Sequence, residues 1–148
     1  MVKQYYDDFE IGDTTASETG RTVSESEVYA VAGLEGNYSP LHTNQEYMKE
    51  TEFGARIAQN SLLITLSNGL SNQTPWNPNT IAAYGRDHIR FIAPVFIGDT
   101  LRLEREVVNK EQRSEDSGIV TFKEDLYNQH DEIVFTGEYL LLVERKSS

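Results

Sequence analysis

The sequence of 148 residues lacks cysteine and has few basic side chains. It contains 13 lysines and arginines against 24 aspartates and glutamates, which gives a formal net charge of −11 at pH 7. The absence of cysteine excludes disulfides, thiolate nucleophiles and cysteine-based metal sites. A negative charge of this size repels phosphate groups, so we expect neither nucleic acid nor an anionic membrane surface as a partner.

Long hydrophobic runs are also missing. The longest apolar stretches, in SLLITL and YLLLV, are far too short to span a bilayer. The first residues, MVKQYYDDFEIGDT, contain no apolar segment of the secretory type, so we expect a cytoplasmic protein. The 38% of hydrophobic and 25% of charged residues are typical of a globular chain, and the length favours one domain over residues 1–148.

Two short helices are predicted in the first third of the chain, which is otherwise irregular. Ser24 and Glu27 form a capping-box pattern at the start of SESEVYAVAGL, and Gly36 would end that helix. Thr43 and Glu46 repeat the pattern. This repetition predicts a second helix whose N-terminus lies directly after the histidine of SPLHT.

A third helix is predicted to be buried. The stretch NSLLITLSNGL, residues 60–70, is apolar on nearly every face, which is typical of a helix inside a core. From residue 82 onward the pattern changes to period two, and strands separated by the turns SEDSG and NQHDE predict an antiparallel meander. A buried helix followed by long antiparallel strands indicates an α+β architecture, in which the sheet wraps around a central helix.

Asn37 and His42 are the candidate functional pair. The turn Ser39-Pro40 separates them, and their five-residue spacing can direct both side chains at one small molecule. A neutral imidazole can exchange a proton with water near pH 7, whereas an amide can only donate or accept hydrogen bonds. Asn37 therefore has two alternative roles, in an Asx turn or in binding a water or a carbonyl oxygen.

Three stretches carry a resemblance to a known family. SESEVYAVAGLEGNYSPLHTNQEYMKETEFGARIAQNSLLITL resembles the hydratase motif of MaoC-like proteins, which are hotdog-fold (R)-specific enoyl-CoA hydratases and dehydratases. IRFIAPVFIGDTL is similar to the strand, turn and strand that follow the central helix in that family. NSLLITLSNGL with NTIAAYG resembles the mesaconyl-CoA and itaconyl-CoA hydratase branch. The resemblance implies a single hotdog domain in a homodimer, an acyl-CoA thioester as substrate and no cofactor.

The same resemblance implies roles for three residues. In the family, an aspartate and a histidine five residues later hold a water, and a backbone N–H at the start of the central helix polarises the thioester carbonyl. His42 matches the histidine, Asn37 stands in place of the aspartate, and Asn60 would supply the N–H. The implied reaction is reversible addition of water to a 2-enoyl-CoA, with His42 as acid–base. The alternatives are an acyl-CoA-binding protein without activity, which Asn37 favours, and a hotdog thioesterase, which needs a carboxylate facing the thioester.

Further side chains are candidates for substrate contacts. Gln59 and Ser61 flank Asn60 at the start of the buried helix, where free N–H groups and the positive end of the helix dipole favour an oxyanion. The amide of Gln59 could also narrow or polarise the acyl pocket. The candidate cations for the CoA phosphates are Arg56, Arg86 and Arg90.

The other polar residues have structural interpretations. Glu46 is assigned to a helix cap and Glu35 to solvent, so neither is expected to replace the missing carboxylate. His88, in a strand-like run, and His130, in a turn, are predicted to be structural or exposed, and the histidines lack the spacing of metal ligands. Trp76 lies in a loop rich in proline and asparagine, where it could cap the core or line the acyl tunnel.

Overall fold

The computed structural model of the protein describes residues 2–147. After a 3-10 turn at Tyr6–Asp8, the elements in chain order are β1 (Thr14–Ala16), β2 (Arg21–Thr22), α1 (Glu25–Glu35), α2 (Pro40–Thr43), α3 (Gln45–Lys49), α4 (Asn60–Ser71), β3 (Thr80–Phe91), β4 (Thr100–Gln112), β5 (Ser117–Tyr127) and β6 (Ile133–Glu144). Over this part of the chain, no helix is both long enough and apolar enough to cross a membrane.

The strands form one antiparallel sheet in the order β1-β4-β5-β6-β3, and the short strand β2 also pairs with β4. The predicted meander is confirmed as β4-β5-β6. The sequence did not predict β1 and β2, which are three and two residues long and bury no side chain. Such short edge segments carry no period-two hydrophobic pattern, so only their pairing with β4 reveals them.

Helix α4 lies against one face of the sheet. Its residues Leu62, Leu63, Leu66 and Leu70 are buried, and they form one core with sheet residues that include Leu101, Leu103, Leu126 and Phe135. Burial of each leucine side chain contributes about 1.5–3 kcal/mol, so this contact holds the helix inside the sheet. The α+β architecture with a central helix is confirmed.

A second core cluster lies at the other end of the sheet. Trp76 is buried there, with its ring 5.5 Å from that of Phe9 in an edge-to-face arrangement and 6.0 Å from that of Phe122. Of the two alternatives for this tryptophan, the structure supports the core cap, because the ring packs among aromatic side chains of the second cluster.

The capping box predicted for the first helix is confirmed. Ser24 accepts a hydrogen bond from the backbone N–H of Glu27, whose carboxylate accepts one from the backbone N–H of Ser24. Gly36 ends α1 with a φ of 67°, a left-handed conformation that glycine adopts without a steric penalty.

The second predicted cap was wrong. Asn44, not Thr43, caps α3, because its side-chain oxygen accepts the backbone N–H of Tyr47 at 2.9 Å. The hydroxyl of Thr43 instead donates to the backbone oxygen of Tyr38 at 2.9 Å. The histidine that was expected to precede a helix therefore lies inside a separate helical turn, α2, which has proline at its first position.

Candidate active site

The turn α2 and the start of α4 border a cavity of about 560 Å³. Asn37, His42 and Asn60 all line it, so the structure brings the three predicted catalytic residues to one site. Most of the remaining wall is apolar and includes Leu41, Phe53, Leu63, Phe91 and Ile92. Such a wall suits an acyl group, while its few polar residues can orient a thioester.

The ring of His42 is held by the backbone. Its Nδ1 atom lies 2.7 Å from the carbonyl oxygen of Ile57. A carbonyl oxygen only accepts hydrogen bonds, so Nδ1 carries the proton in this contact. In the neutral ring, Nε2 then has the free lone pair and is the atom that can take a proton from water. The N–H of Ile57 also donates to the backbone oxygen of Leu41 at 3.0 Å, which ties α2 to the segment before α4.

Asn37 has one of its two polar atoms engaged. Its Oδ1 atom accepts the backbone N–H of Ser39 at 3.1 Å, an Asx turn of the predicted kind. The Nδ2 group is therefore the part of the amide that remains able to donate to a water or a carbonyl oxygen in the cavity. Both roles considered for this residue are compatible with the geometry, and neither provides a base.

Asn60 is the first residue of α4 and lies at the cavity wall. Its side-chain oxygen accepts the backbone N–H of Ser61 at 2.7 Å. Within residues 2–147 no protein group accepts the backbone N–H of Asn60, as is usual for the first turn of a helix. That N–H and the helix dipole can both stabilise negative charge on an oxygen in the cavity.

The structure does not bring Gln59 or Ser61 to the cavity. Gln59 is buried, and its Nε2 group donates to the backbone oxygen of Val28 in α1 at 2.8 Å. The hydroxyl of Ser61 donates to a carboxylate oxygen of Glu35 at 2.7 Å. Both side chains therefore join α4 to α1, and neither lines the cavity. Glu35, assigned to solvent, is exposed but accepts this bond.

The three candidate arginines have different surroundings. Arg56 forms an ion pair with Glu25 at 3.0 Å and directly precedes cavity residue Ile57 in the chain. Arg86 is engaged by the protein itself: its guanidinium lies 3.9 Å from the ring centre of Tyr139, donates to the side-chain oxygen of Asn68 and forms an ion pair with Glu124. It is therefore not available to a CoA phosphate. Arg90 is exposed, and its Nη1 group donates to the backbone oxygen of the preceding residue, Ile89, at 2.7 Å.

The remaining predicted positions are away from the cavity wall. His88 is exposed on β3, 3.2 Å from Glu138, and His130 is exposed in the turn after β5. Glu46 pairs with Lys49 at 2.9 Å instead of capping a helix. In the part of the chain that the structure describes, no group of three histidine, aspartate or glutamate side chains is arranged to hold a metal ion.

Sequence reasoning missed a buried ion pair beneath α4. Arg105 of β4 and Glu124 of β5 face the interior, with Nε and Oε2 3.1 Å apart, and Ser71 donates to the same carboxylate at 2.5 Å. Burial lowers the pKa of Arg105 and raises the pKa of Glu124, while their mutual attraction opposes both shifts. The sequence did contain a signal for this pair. Each strand alternates inward and outward residues, and Arg105 and Glu124 each come two residues after a buried residue, Leu103 and Phe122 respectively, so both charges fall on the inward face.

The comparisons with known proteins agree with this geometry. Residues 8–128 match the family described as MaoC like domain. This chain belongs to the MaoC-like family. The MaoC-like chain is 32% identical, over 101 residues, to the (R)-specific enoyl-CoA hydratase of Rhodospirillum rubrum, a match that covers 68% of this chain and 67% of that protein.

Solved structures resemble this MaoC-like chain over nearly its whole length. The monoamine oxidase regulatory protein from Archaeoglobus fulgidus has a TM-score of 0.88 and 34% identity, with 99% of this chain and 98% of that chain covered. A conserved hypothetical protein from Mycobacterium tuberculosis, described as a double hotdog fold, has a TM-score of 0.83 at 19% identity and covers 99% of this chain and 46% of its own. The fold is a hotdog, as the resemblance implied.

Proposed function

We propose that this protein adds water reversibly to a 2-enoyl-CoA thioester. The observation that carries the proposal is the fixed tautomer of His42, whose Nδ1–H is bound to the Ile57 carbonyl and whose Nε2 is left for proton transfer. The hydratase name of the Rhodospirillum rubrum relative supports the reaction class. The apolar wall of the cavity supports an acyl group as the substrate.

One imidazole can carry both proton transfers. Nε2 of His42 takes a proton from a water that the Nδ2 group of Asn37 positions, and the water oxygen forms a bond to C3 of the enoyl group. The electrons of the C2–C3 double bond move toward the thioester, whose oxygen becomes negative and is stabilised by the N–H of Asn60. The imidazolium then returns its proton to C2, and the thioester carbonyl re-forms.

We place the CoA phosphates near Arg56 and Arg90. Arg56 lies next to Ile57 of the cavity wall, beside a shallow pocket that also contains Lys49 and Gln45. Arg90 is exposed on β3, directly before cavity residue Phe91. Because the protein as a whole is strongly negative, cations close to the mouth of the cavity are needed to attract the phosphates.

We propose that two chains associate through β3. This strand forms one edge of the sheet, and its hydrophobic residues Ile81, Tyr84 and Phe91 are about half exposed. An exposed, hydrophobic edge strand is prone to pair with another chain. Pairing of β3 with its copy would cover these side chains and, because Phe91 lies at the cavity wall, would place the acyl site at the interface.

A second candidate function is acyl-CoA binding without chemistry. The amide of Asn37 favours it, since an amide cannot act as a general base. The anchored imidazole of His42 argues for hydration instead. A thioesterase is less well supported, because the residues found along the cavity wall include no carboxylate that could face the thioester.

The test is an assay of the purified protein with crotonyl-CoA, mesaconyl-CoA and itaconyl-CoA. Loss of the enoyl absorbance without release of free thiol is the expected result. Release of free thiol would instead identify a thioesterase. Binding of all three thioesters with neither change would overturn the hydratase proposal in favour of the binding protein.

A further inference from the structure

A separate pocket of about 160 Å³ lies beside the C-terminal half of α4 and is open to solvent. Its wall shares no residue with the cavity that contains His42. Asn68, which lines it, follows Asn60 by eight residues and so lies roughly 12 Å further along the helix. The wall is mostly polar and includes Asn68, Asn72, Asn77, Thr80, Arg105 and Tyr139.

The arginine in this wall lacks hydrogen bonds. Arg105 is 3% exposed, its guanidinium lies 4.1 Å from the ring centre of Phe122, and its Nε approaches Glu124 at 3.1 Å. Within residues 2–147, no protein group accepts a hydrogen bond from this guanidinium: its Nε atom is fully buried, while its two terminal nitrogens, with four N–H donors, contact the open pocket. Because the protein supplies no acceptor for these donors, the pocket favours an acceptor from outside the chain, either water or a ligand.

The charges around the cavity are also unbalanced. Arg86 is a second guanidinium in the same network, with Nη1 3.8 Å from the Oε1 atom of Glu124 and a hydrogen bond from Nη2 to Asn68. Two arginines therefore share one carboxylate. Because a buried charge is stable only when it is compensated, the network has room for one further negative charge.

We propose that this cavity is a binding site for a small carboxylate, held by the terminal nitrogens of Arg105. The planar fork of a guanidinium matches the two oxygens of a carboxylate, and the surrounding amide groups can donate further hydrogen bonds. A cavity of this volume holds several waters of about 30 Å³ each, so a carboxylate group can take their place. The carboxylate belongs either to a free small acid or to the far end of an acyl chain.

The first experiment is a calorimetric titration of the protein with acetate at constant ionic strength, with the neutral acetamide as the matched ligand. We expect acetate to bind and acetamide not to bind. Arg105→Gln should weaken acetate binding at least tenfold. Glu124→Gln should strengthen it severalfold, because a competing negative charge is removed. Arg102→Gln, on the same strand but outside the cavity wall, should change nothing.

A further variant covers the possibility that changes in the buried network prevent folding. Asn72 is exposed at the end of α4, where a larger apolar side chain should be tolerated. Asn72→Leu should block the cavity and abolish acetate binding while circular dichroism remains that of the parent. If the parent, Arg105→Gln and Asn72→Leu all bind acetate equally, acetate binds outside this pocket. That result would overturn the proposal that the pocket binds a free small acid.

The second experiment identifies the source of the carboxylate and rests on the proposed function. Affinities are compared for 2-enoyl-CoA thioesters that end in a carboxylate or in a methyl group. A preference for the carboxylate that disappears in Arg105→Gln identifies an acyl carboxylate, and acetate binding without that preference identifies a free acid. Absence of both effects overturns the site. If acetate binds but crotonyl-CoA is not hydrated, only the hydratase proposal fails.

Discussion

The side-chain oxygen of Asn37 accepts the backbone N–H of Ser39 at 3.1 Å, and this bond sets the orientation of the amide. An aspartate has nearly the same shape as an asparagine. One oxygen of a carboxylate at this position can therefore keep the bond to Ser39, while the second takes the place of the Nδ2 group at the cavity wall.

Asn37→Asp should increase hydration of crotonyl-CoA by ~10² or more, the usual effect of adding a general acid–base. The increase should appear in kcat more than in KM, because the substitution leaves unchanged the N–H of Asn60, which we propose as the group that binds the thioester. It should fade as the pH falls toward ~4, where an aspartate protonates. The measurement is the rate of loss of the enoyl absorbance across a range of substrate concentrations and pH.

The matched control for this variant is Asn109→Asp, which adds the same charge at an exposed position of β4 outside the cavity. It should leave the rate of the parent protein unchanged. If Asn37→Asp hydrates crotonyl-CoA no faster than the parent, a carboxylate at position 37 does not act as a general base. The acyl-CoA-binding protein without activity would then be the better-supported function.

His42→Ala should abolish hydration and leave acyl-CoA affinity within a few-fold of the parent value. In the proposed reaction the imidazole transfers protons, whereas the apolar wall and the N–H of Asn60 bind the thioester. Turnover and a direct binding titration measure the two effects separately. His130→Ala, in an exposed turn, is the control and should alter neither. Full turnover by the His42 variant would place the chemistry elsewhere.

The protein should be a dimer of about twice 16.8 kDa in light scattering. Tyr84→Lys places a charge on the exposed edge strand β3 and should shift the population to monomers. Ile11→Lys is the matched control, because Ile11 is also exposed but precedes β1 at the opposite edge of the sheet. A monomeric parent protein would remove the proposed interface, and equal effects of both variants would place it elsewhere.

Asp8 should make the protein sensitive to acid. Burial alone would raise the pKa of Asp8, but bonds from Lys146 and from the backbone N–H groups of Tyr5 and Gln4 outweigh it and lower the pKa from 3.8 to about 2. The stabilisation is therefore complete above about pH 4 and is lost as the pH falls toward 2. Asp8→Asn should cost about 1 kcal/mol at pH 7, since solvent screens the contact with Lys146, and nothing below pH 2.

The measurement for Asp8 is denaturant unfolding at a series of pH values. The difference in unfolding free energy between the parent and Asp8→Asn should shrink steadily below pH 4. Asp116→Asn, in an exposed turn, is the control and should follow the parent at every pH. A difference that stays constant with pH would mean that the Asn variant acts through packing and not through charge.

The sequence predicted those elements whose cause is local. The capping box of Ser24 and Glu27, the apolar helix α4 and the alternating strands β4 to β6 each follow from patterns within a dozen residues. Neither β1 nor β2 could be predicted, because their pairing depends on β4, about 90 residues later in the chain for β1. The four-residue helix α2 is likewise too short to produce a periodic pattern.

For the candidate site, the family resemblance pointed to Asn37, His42 and Asn60, and the structure places all three at the wall of one cavity. The direction of Gln59 was not predictable, because its partner, the carbonyl oxygen of Val28, lies 31 residues earlier in the chain. The hydrogen bond from His42 to Ile57 was missed for the same reason. Every residue has a backbone carbonyl, so the sequence does not show which one His42 contacts. Long-range contacts of this kind require the folded chain.

Ile57 links two parts of the site through a single residue, because its carbonyl oxygen accepts from His42 and its N–H donates to Leu41. Helix α2 has no buried residue, so little apolar packing holds it, and these two hydrogen bonds help to fix its position. If α2 swings away, the Ile57 amide is released to solvent at the same moment as the imidazole loses its orientation. Deuterium uptake at this one amide therefore reports how often the site is assembled, even in a variant that cannot turn over substrate.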